Sequence, residues 1–168
     1  YPHCWRHRTP LIFRATPQWF ISLDQNHLRE ASMEAIGTVR WIPDWGQQRI
    51  EGMVAGRPDW CISRQRVWGV PITVFYCEDC GEPLTDRRHL DHVVDQFAEH
   101  TADIWYSRSA TELLGSDVRC SKCGSGQFRK ESDILDVWFD SGSSHLAVLC
   151  ERFNLPWPAD LYVEGGDQ

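Results

Sequence analysis

Two stretches in the first third of the chain show the spacing of apolar residues that is typical of amphipathic helices. Asn26 can cap the first predicted helix, and Gly37 can end it. The second predicted helix follows Asp44 and ends before Gly56. The apolar or small residues that these helices carry are Leu28, Ala31, Ala35 and Ile36 in the first, and Ile50, Met53 and Val54 in the second.

Two more helices are predicted between residues 77 and 130. Ser109 and Glu112 form a capping box, which starts a short helix that ends at Gly115. The longer helix before it has an apolar stripe at helical spacing, and we expect that stripe to lie in the core. The residues of the stripe are Leu90, Val93, Val94 and Phe97.

Short apolar runs predict strands on both sides of a helix near the end of the chain. Ile134–Phe139 and Leu161–Glu164 are apolar enough for buried strands, and Ser144–Phe153 predicts a helix between them. An earlier strand is predicted at Val70–Tyr76. A strand, a helix and a strand in this order suggest a right-handed parallel βαβ unit, so the sequence favours an α/β fold.

The composition is acidic, which limits the partners that this chain can bind alone. It has 24 Asp and Glu residues against 17 Lys and Arg residues, and a formal net charge of −7. Because an acidic surface repels phosphate, we expect weak or no nucleic-acid binding by this chain alone. A basic strip at Arg57 and Arg64–Arg66 is compatible with a contact inside a larger complex.

The ends of the sequence and its scattered thiols bear on what kind of protein the chain comes from and on the redox state of its compartment. The chain opens on Tyr1 and ends at Gln168 directly after an apolar run, so we expect it to be part of a larger protein. The sequence has neither a signal peptide nor an apolar run long enough to cross a membrane. His3–His7 can imitate half of a metal site, but no partner pair of ligands is obvious. The thiols without a pairing pattern, which fit a reducing cytoplasm, are Cys4, Cys61 and Cys150.

Two CxxC pairs, each followed by glycine, are the strongest chemical signal in the sequence. Two thiolates three positions apart on a tight turn can bind one ion, and glycine permits the backbone angles of such a turn. The alternatives are two disulfides or a redox pair, although a thioredoxin-like site needs one pair and not two. Four thiolates suit one structural Zn²⁺. The residues are Cys77, Cys80 and Gly81 in the first pair, and Cys120, Cys123 and Gly124 in the second.

The nine tryptophans are many for a core of this size. For most of them we expect partial burial, with the indole N–H bonded to a carbonyl. Trp138 is the exception, because it lies in the segment Asp136–Gly142 at the predicted end of a strand. Ligands bind at the carboxyl edge of parallel sheets, so Trp138 is a candidate binding residue.

Five segments carry a family resemblance: YPHCWR at 1–6, RATPQWF at 14–20, DWCISRQRVWG at 59–69, DVWFDSG at 136–142 and YVEGGDQ at 162–168. In order and spacing they resemble the part of isoleucyl-tRNA synthetases that follows the editing insertion. The valyl enzymes typically read SEQWF and DTWFSS, and the leucyl enzymes lack DVWFDSG. Residues 77–130 are the least family-specific stretch, because only the zinc-bearing members have the paired cysteines.

The resemblance implies an α/β fold that is part of a class I Rossmann-like catalytic domain with a zinc-ribbon-like insert. It divides the chain into residues 1–76, which return from the editing insertion to the catalytic core, the zinc-binding insert at 77–130, and a strand-helix-strand part of the core at 131–168. Arg64, Arg66 and Trp68 resemble the hinge of the editing insertion. A salt-bridged, stacked strut is at least as good an interpretation of them as a tRNA contact.

The resemblance also implies a reaction. Synthetases of this type activate isoleucine with ATP and Mg²⁺ and transfer it from the adenylate to tRNA(Ile). On the family pattern, Trp138 walls the isoleucine pocket, while Glu164, Asp167 and Gln168 bind the adenylate. Asp140 and Ser141 are expected to shape the turn.

No general acid or base is expected in this chain, because adenylate formation relies on positioning and on charge stabilisation. The HIGH and KMSKS motifs that stabilise the ATP phosphates are absent from the sequence. We therefore expect this chain alone to be inactive, and we expect no membrane partner.

The competing hypothesis is a non-catalytic zinc-ribbon module that binds RNA or protein. A simple ribbon does not need the segments ISRQRVWG and DVWFDSG, and an RNA-binding ribbon is usually basic. A metal-dependent hydrolase is a weaker alternative, because four thiolates leave no open position for a catalytic water.

Overall fold

The computed structural model describes residues 1–152, 154–163 and 165. The chain forms two compact units, Tyr1–Cys61 and Ile62–Gln168. The helices are α1 at Leu28–Thr38, α2 at Trp45–Ala55, α3 at Arg87–His100, α4 at Ile104–Ser107, α5 at Ala110–Leu114 and α6 at Val137–Leu146. The strands are β1 at Phe20–Ile21, β2 at Trp60–Cys61, β3 at Ser63–Arg64, β4 at Phe75–Cys77, β5 at Pro83–Leu84, β6 at Phe128–Lys130 and β7 at Ile134–Leu135.

The first unit contains the two predicted helices, α1 and α2, and the antiparallel pair β1–β2. The prediction that Asn26 caps α1 is wrong, because Asn26 lies in a 3₁₀ turn at Gln25–His27 with a φ of 53°. His27 follows with a φ of 58°, so the backbone turns into the helix at Leu28 without a side-chain cap. Gly37 lies inside α1 and does not end it.

The second unit is built on a three-stranded antiparallel sheet in the order β5-β4-β6. Helices α3, α4 and α5 supply apolar side chains that pack with those of the sheet into one core. The rings of Phe75 and Trp105 meet edge to face with centroids 4.9 Å apart. The buried residues of this core are Phe75, Leu84, Val93, Ile104, Trp105, Ala110, Leu113 and Leu114.

The two helices predicted between residues 77 and 130 are confirmed, with one exception in their buried faces. Ser109 and Glu112 form the capping box of α5, and Gly115 follows its last residue. Val93 on α3 is fully buried and Phe97 packs against the core. Val94 is 60% exposed, so its assignment to the core is wrong. It directly follows Val93, and neighbouring helical residues point about 100° apart.

The predicted strand at Ile134–Phe139 is wrong beyond Leu135, since α6 begins at Val137. Asp136 accepts a hydrogen bond from the backbone N–H of Trp138 and thereby caps the helix. A carboxylate that satisfies a free helical N–H favours a helix over continued strand pairing. Trp138 therefore lies in the first turn of a helix and not at the end of a strand.

The remaining strand predictions hold only in part. Of the strand predicted at Val70–Tyr76, only Phe75 and Tyr76 belong to β4, and Pro71 makes an isolated bridge with Ile134. The predicted helix at Ser144–Phe153 is confirmed over its described residues, where the end of α6 continues into a π-helical segment at Ala147–Arg152; it begins earlier than predicted, and Phe153 lies outside the described residues.

The predicted parallel βαβ unit is wrong for the part of the chain that the structure describes. Residues 161–163 form no strand there, and Glu164 lies outside the described residues. Every strand pair among the described residues is antiparallel, including β3 with β7. None of the helices described here has the length and apolar character that a membrane crossing requires.

Gly69 lies where the chain passes close to β7. Its φ is +148°, and a Cβ at this position would lie 2.4 Å from Cδ1 of Ile134. The carbonyl of Gly69 accepts a hydrogen bond of 3.2 Å from the hydroxyl of Tyr106 on α4. These contacts hold the loop that carries Trp68 against the rest of the unit.

Replacing Leu113 with alanine should destabilise the second unit by about 2–5 kcal/mol, because the side chain is fully buried and its loss leaves a cavity. Native-state hydrogen exchange of α3 and β4 measures the effect. Val94→Ala removes a similar apolar group from an exposed position and should change stability by less than about 0.5 kcal/mol. Equal losses in the two variants would contradict the assigned core.

Candidate functional site

The two CxxC segments form turns of the same geometry. The amide of Gly81 donates to the carbonyl of Cys77 at 2.9 Å, and the amide of Gly124 donates to that of Cys120 at 2.8 Å. Both glycines have a positive φ, 73° and 76°, which glycine adopts at little cost. The first turn connects β4 to β5, and the second precedes β6. Because β4 and β6 are neighbours, the sheet brings the two turns together.

The four cysteine sulfurs lie within 4.8 Å of one another. The shortest separations join the two turns: 3.5 Å between Cys77 and Cys123, and 3.6 Å between Cys80 and Cys120. A tetrahedral site with metal–sulfur bonds of about 2.3 Å has sulfurs about 3.8 Å apart, whereas a disulfide needs about 2.05 Å. All four are free cysteines, and their arrangement fits one tetrahedral metal ion.

Backbone amides favour the ionised form of some of these thiols. The amides of Cys123 and Lys122 donate to the sulfur of Cys120 and lower its pKa to about 7. The amide of Ser125 likewise favours the Cys123 thiolate, but the neighbouring sulfurs and burial outweigh it and raise the pKa of Cys123 to about 12. Four thiolates this close repel one another. A divalent cation removes that repulsion, which is the chemistry that such a donor set fits.

An ion pair joins the two turns beside the sulfurs. Nζ of Lys122 in the second turn lies 2.9 Å from a carboxylate oxygen of Glu82, directly after the first. The hydrogen bond to Glu82 raises the pKa of Lys122, and the nearby Cys80 and Cys120 add to the effect. Sequence reasoning missed this pair, which only the pairing of β4 with β6 brings together.

The other metal-like segment, His3–His7, does not assemble a site. The sulfur of Cys4 lies 3.6 Å from Nδ1 of His7, while Nδ1 of His3 bonds the carbonyl of Tyr1. Among the residues that the structure describes, only the four paired cysteines form a group of three or more metal-ligand side chains.

The structure describes one of the four candidate substrate-binding residues. Trp138 is half exposed in the first turn of α6. Glu164, Asp167 and Gln168 lie outside the described residues, so their prediction stays untested. Burial and the nearby charge of Asp136 raise the pKa of Asp140 in the same turn.

The predicted hinge residues have three different environments. Arg64 makes an ion pair with Asp136 at 2.6 Å, and Asp136 is buried. The guanidinium of Arg66 bonds the carbonyl of Gln65, and Trp68 is 91% exposed. Sequence reasoning missed the capping role of Asp136, although an Asp just before an apolar helical run is a recognisable capping signal.

A comparison with protein families identifies the chain. The family described as tRNA synthetases class I (I, L, M and V) matches residues 7–168. The chain belongs to this family. It is thus a class I tRNA synthetase domain of mixed helices and strands.

Curated relatives confirm the resemblance to isoleucyl-tRNA synthetases. The chain is 58% identical over its whole length to the isoleucine–tRNA ligase of Syntrophotalea carbinolica. It is 57% identical to that of Geobacter sulfurreducens and 55% identical to that of Moorella thermoacetica, again over its whole length. The chain spans 18% of the length of each of these relatives.

We expect the wild-type protein to contain about one zinc more per chain than Cys80→Ser, because four sulfurs are grouped here for one tetrahedral ion. Elemental analysis after purification under reducing conditions without added metal measures the difference. X-ray absorption should give zinc–sulfur distances of about 2.3 Å. The loss of metal should also speed hydrogen exchange in α3 more than in β7.

Cys61→Ser is the matched control for this experiment, because Cys61 is a thiol of the first unit outside the cluster. It should keep the full zinc content. Equal zinc in the wild type and Cys80→Ser, or disulfides between these cysteines under reducing conditions, would refute the zinc assignment.

Proposed function

We propose that this chain is a segment of an isoleucyl-tRNA synthetase, which activates isoleucine with ATP and Mg²⁺ and esterifies it to tRNA(Ile). The observation that supports the proposal most strongly is the 55–58% identity over the whole chain to several proteins named isoleucine–tRNA ligase. The sequence lacks the HIGH and KMSKS motifs, so the segment contributes to the reaction only as part of the longer enzyme.

In this proposal the chain supplies part of a Rossmann-like catalytic domain and a zinc-ribbon-like insert. Residues 1–76 return from the editing insertion, 77–130 form the insert, and 131–168 rejoin the core. The paired turns and the β5-β4-β6 sheet support a ribbon-like insert. The zinc-ribbon module without catalysis is a poorer explanation, because the family match extends over residues 7–168.

The structural metal of the proposal is Zn²⁺ held by the four cysteine thiolates. When bound, it supplies a cross-link between two turns, and four thiolates leave it no open position for chemistry. Cys77 at the end of β4 and Cys80 in the turn that follows would hold it from one side, and Cys120 and Cys123 would hold it from the turn before β6. The cysteines outside the cluster, Cys4, Cys61 and Cys150, are free thiols and fit a reducing, cytoplasmic location.

The residues of the chain act on the substrate by binding and orienting it. Trp138 offers an apolar wall for the isoleucine side chain, and its half-exposed ring supports that role. Glu164 can accept hydrogen bonds from ribose hydroxyls or an ammonium group, with Asp167 and Gln168 as neighbouring contacts. No residue of the chain transfers a proton in this proposal, because held geometry and charge stabilisation of the phosphates lower the barrier.

The full-length enzyme should catalyse isoleucine-dependent ATP–pyrophosphate exchange, and Trp138→Ala should raise the KM for isoleucine and weaken discrimination against valine. One methylene in an apolar pocket is worth only about 1–3 kcal/mol, a value for which isoleucyl-tRNA synthetases are themselves the usual example. The ratio of kcat/KM for the two amino acids measures the effect. An unchanged ratio and KM would return Trp138 to a purely structural role, and no exchange at all would refute the synthetase proposal.

Glu164→Gln in the full-length enzyme should lower the rate of adenylate formation by an amount equivalent to about 1.5–3 kcal/mol, because it keeps the size but loses charge-assisted hydrogen bonds. Thermal stability should change little. Single-turnover activation kinetics and a thermal melt measure the two effects. A fall in stability with normal activation would make Glu164 a structural residue.

A further inference from the structure

Asp136 is a buried carboxylate whose two oxygens have different partners. Oδ1 accepts a hydrogen bond of 3.2 Å from the backbone N–H of Trp138, at the first turn of α6. Oδ2 accepts a hydrogen bond of 2.6 Å from a guanidinium nitrogen of Arg64 on β3. The side chain of Asp136 is 7% exposed and that of Arg64 is 37% exposed, so the pair is shielded on the carboxylate side.

Backbone hydrogen bonds hold the same two segments in register. The amide of Asp136 donates to the carbonyl of Ile62 at 2.7 Å, and Ser63 pairs with Leu135 across β3 and β7. Arg64 also bonds the carbonyl of Ser63, which fixes its guanidinium beside the strand. The segment that leads to the Trp68 loop is therefore tied to the start of α6 by both backbone and side-chain hydrogen bonds.

The geometry at Asp136 determines where Trp138 lies. The cap fixes the direction in which the first turn of α6 leaves β7, because it ties the Trp138 amide to a side chain that is itself held by Arg64. A charge-assisted bond of this length is strong and directional. Loss of the carboxylate frees the first helical turn to rotate, and Trp138 rotates with it.

We propose that Asp136 and Arg64 are positioning residues for amino-acid recognition, and that they act by holding Trp138 in the isoleucine pocket. The inference rests on the proposed role of Trp138. It assigns to β3, which carries Arg64, a task in specificity that involves no contact with the substrate.

Two variants of the full-length synthetase distinguish the helix cap that Asp136 makes from its ion pair with Arg64. Asp136→Ala removes the cap and the ion pair, whereas Asp136→Asn keeps an oxygen that can cap α6 but loses the charge and presents an NH2 donor to Arg64 in place of the acceptor oxygen. We expect the isoleucine KM to rise about 10- to 100-fold in Asp136→Ala and less in Asp136→Asn, since small misplacements of binding groups have effects of this size. Asp133→Asn removes the carboxylate of the residue directly before β7 and should leave the isoleucine KM unchanged. If Asp136→Ala does not fold, Asp136→Asn carries the test.

A double variant tests whether Asp136 acts through Trp138. If it does, Asp136→Asn should raise the KM in the wild-type background and have almost no effect in the Trp138→Ala background. Independent effects that multiply in the double variant would overturn the inference. A purely structural role would lower the thermal stability of Asp136→Asn while the isoleucine KM and the isoleucine-to-valine ratio stay unchanged.

The position of Trp138 can be monitored by fluorine NMR without an activity assay. In protein that contains 5-fluorotryptophan, the fluorine resonance that Trp138→Phe removes belongs to Trp138. We expect this resonance to shift in Asp136→Asn and in Arg64→Lys, and to stay in place in Asp133→Asn. An unmoved resonance overturns the inference. A moved resonance with normal kinetics in Trp138→Ala supports the positioning role and refutes the pocket, so the two proposals fail separately.

Discussion

The packing of Phe75 against Trp105 is the interaction on which the core of the second unit depends. Phe75 and Cys77 lie two residues apart on β4, so both side chains point to the same face of the sheet, and both are fully buried. That face therefore carries a residue of the apolar core and, two positions later, a thiol of the sulfur cluster. The contact that buries Trp105 therefore also sets the position from which the first thiol approaches the others.

Local signals in the sequence predicted the parts of the structure that depend on a few neighbouring residues. The capping box at Ser109 and Glu112 formed as expected, because both of its hydrogen bonds lie within one helical turn. The CxxC-glycine turns could be predicted for the same reason, and the grouping of their sulfurs followed from the chemistry of four thiols. The cross-turn contact of Lys122 with Glu82 could not, since it depends on strand pairing between distant segments.

The region after residue 134 shows where apolar content misleads. A run of large apolar side chains suits a buried strand or a buried helix equally well, and Asp136 decided between them by capping α6. The error displaced Trp138 from a strand end to a helical turn, so a place at the carboxyl edge of a parallel sheet no longer supports it as a binding residue. Its candidacy as a pocket residue now depends on the family resemblance alone. The Asp136 carboxylate that starts α6 is also the ion-pair partner of Arg64. One side chain therefore both ends the strand and links the helix to β3.

The close approach of Cys80 to Cys120 has a consequence for the unfolded chain. These residues are 40 positions apart, and the segment between them contains α3, α4 and α5. A bond through a shared ion would close that segment into a ring, and ring closure over such a length removes entropy worth about 3–5 kcal/mol from an unfolded chain that keeps the link. Such a link would stabilise the three helices between its ends, which would then need correspondingly less buried surface of their own to stay folded.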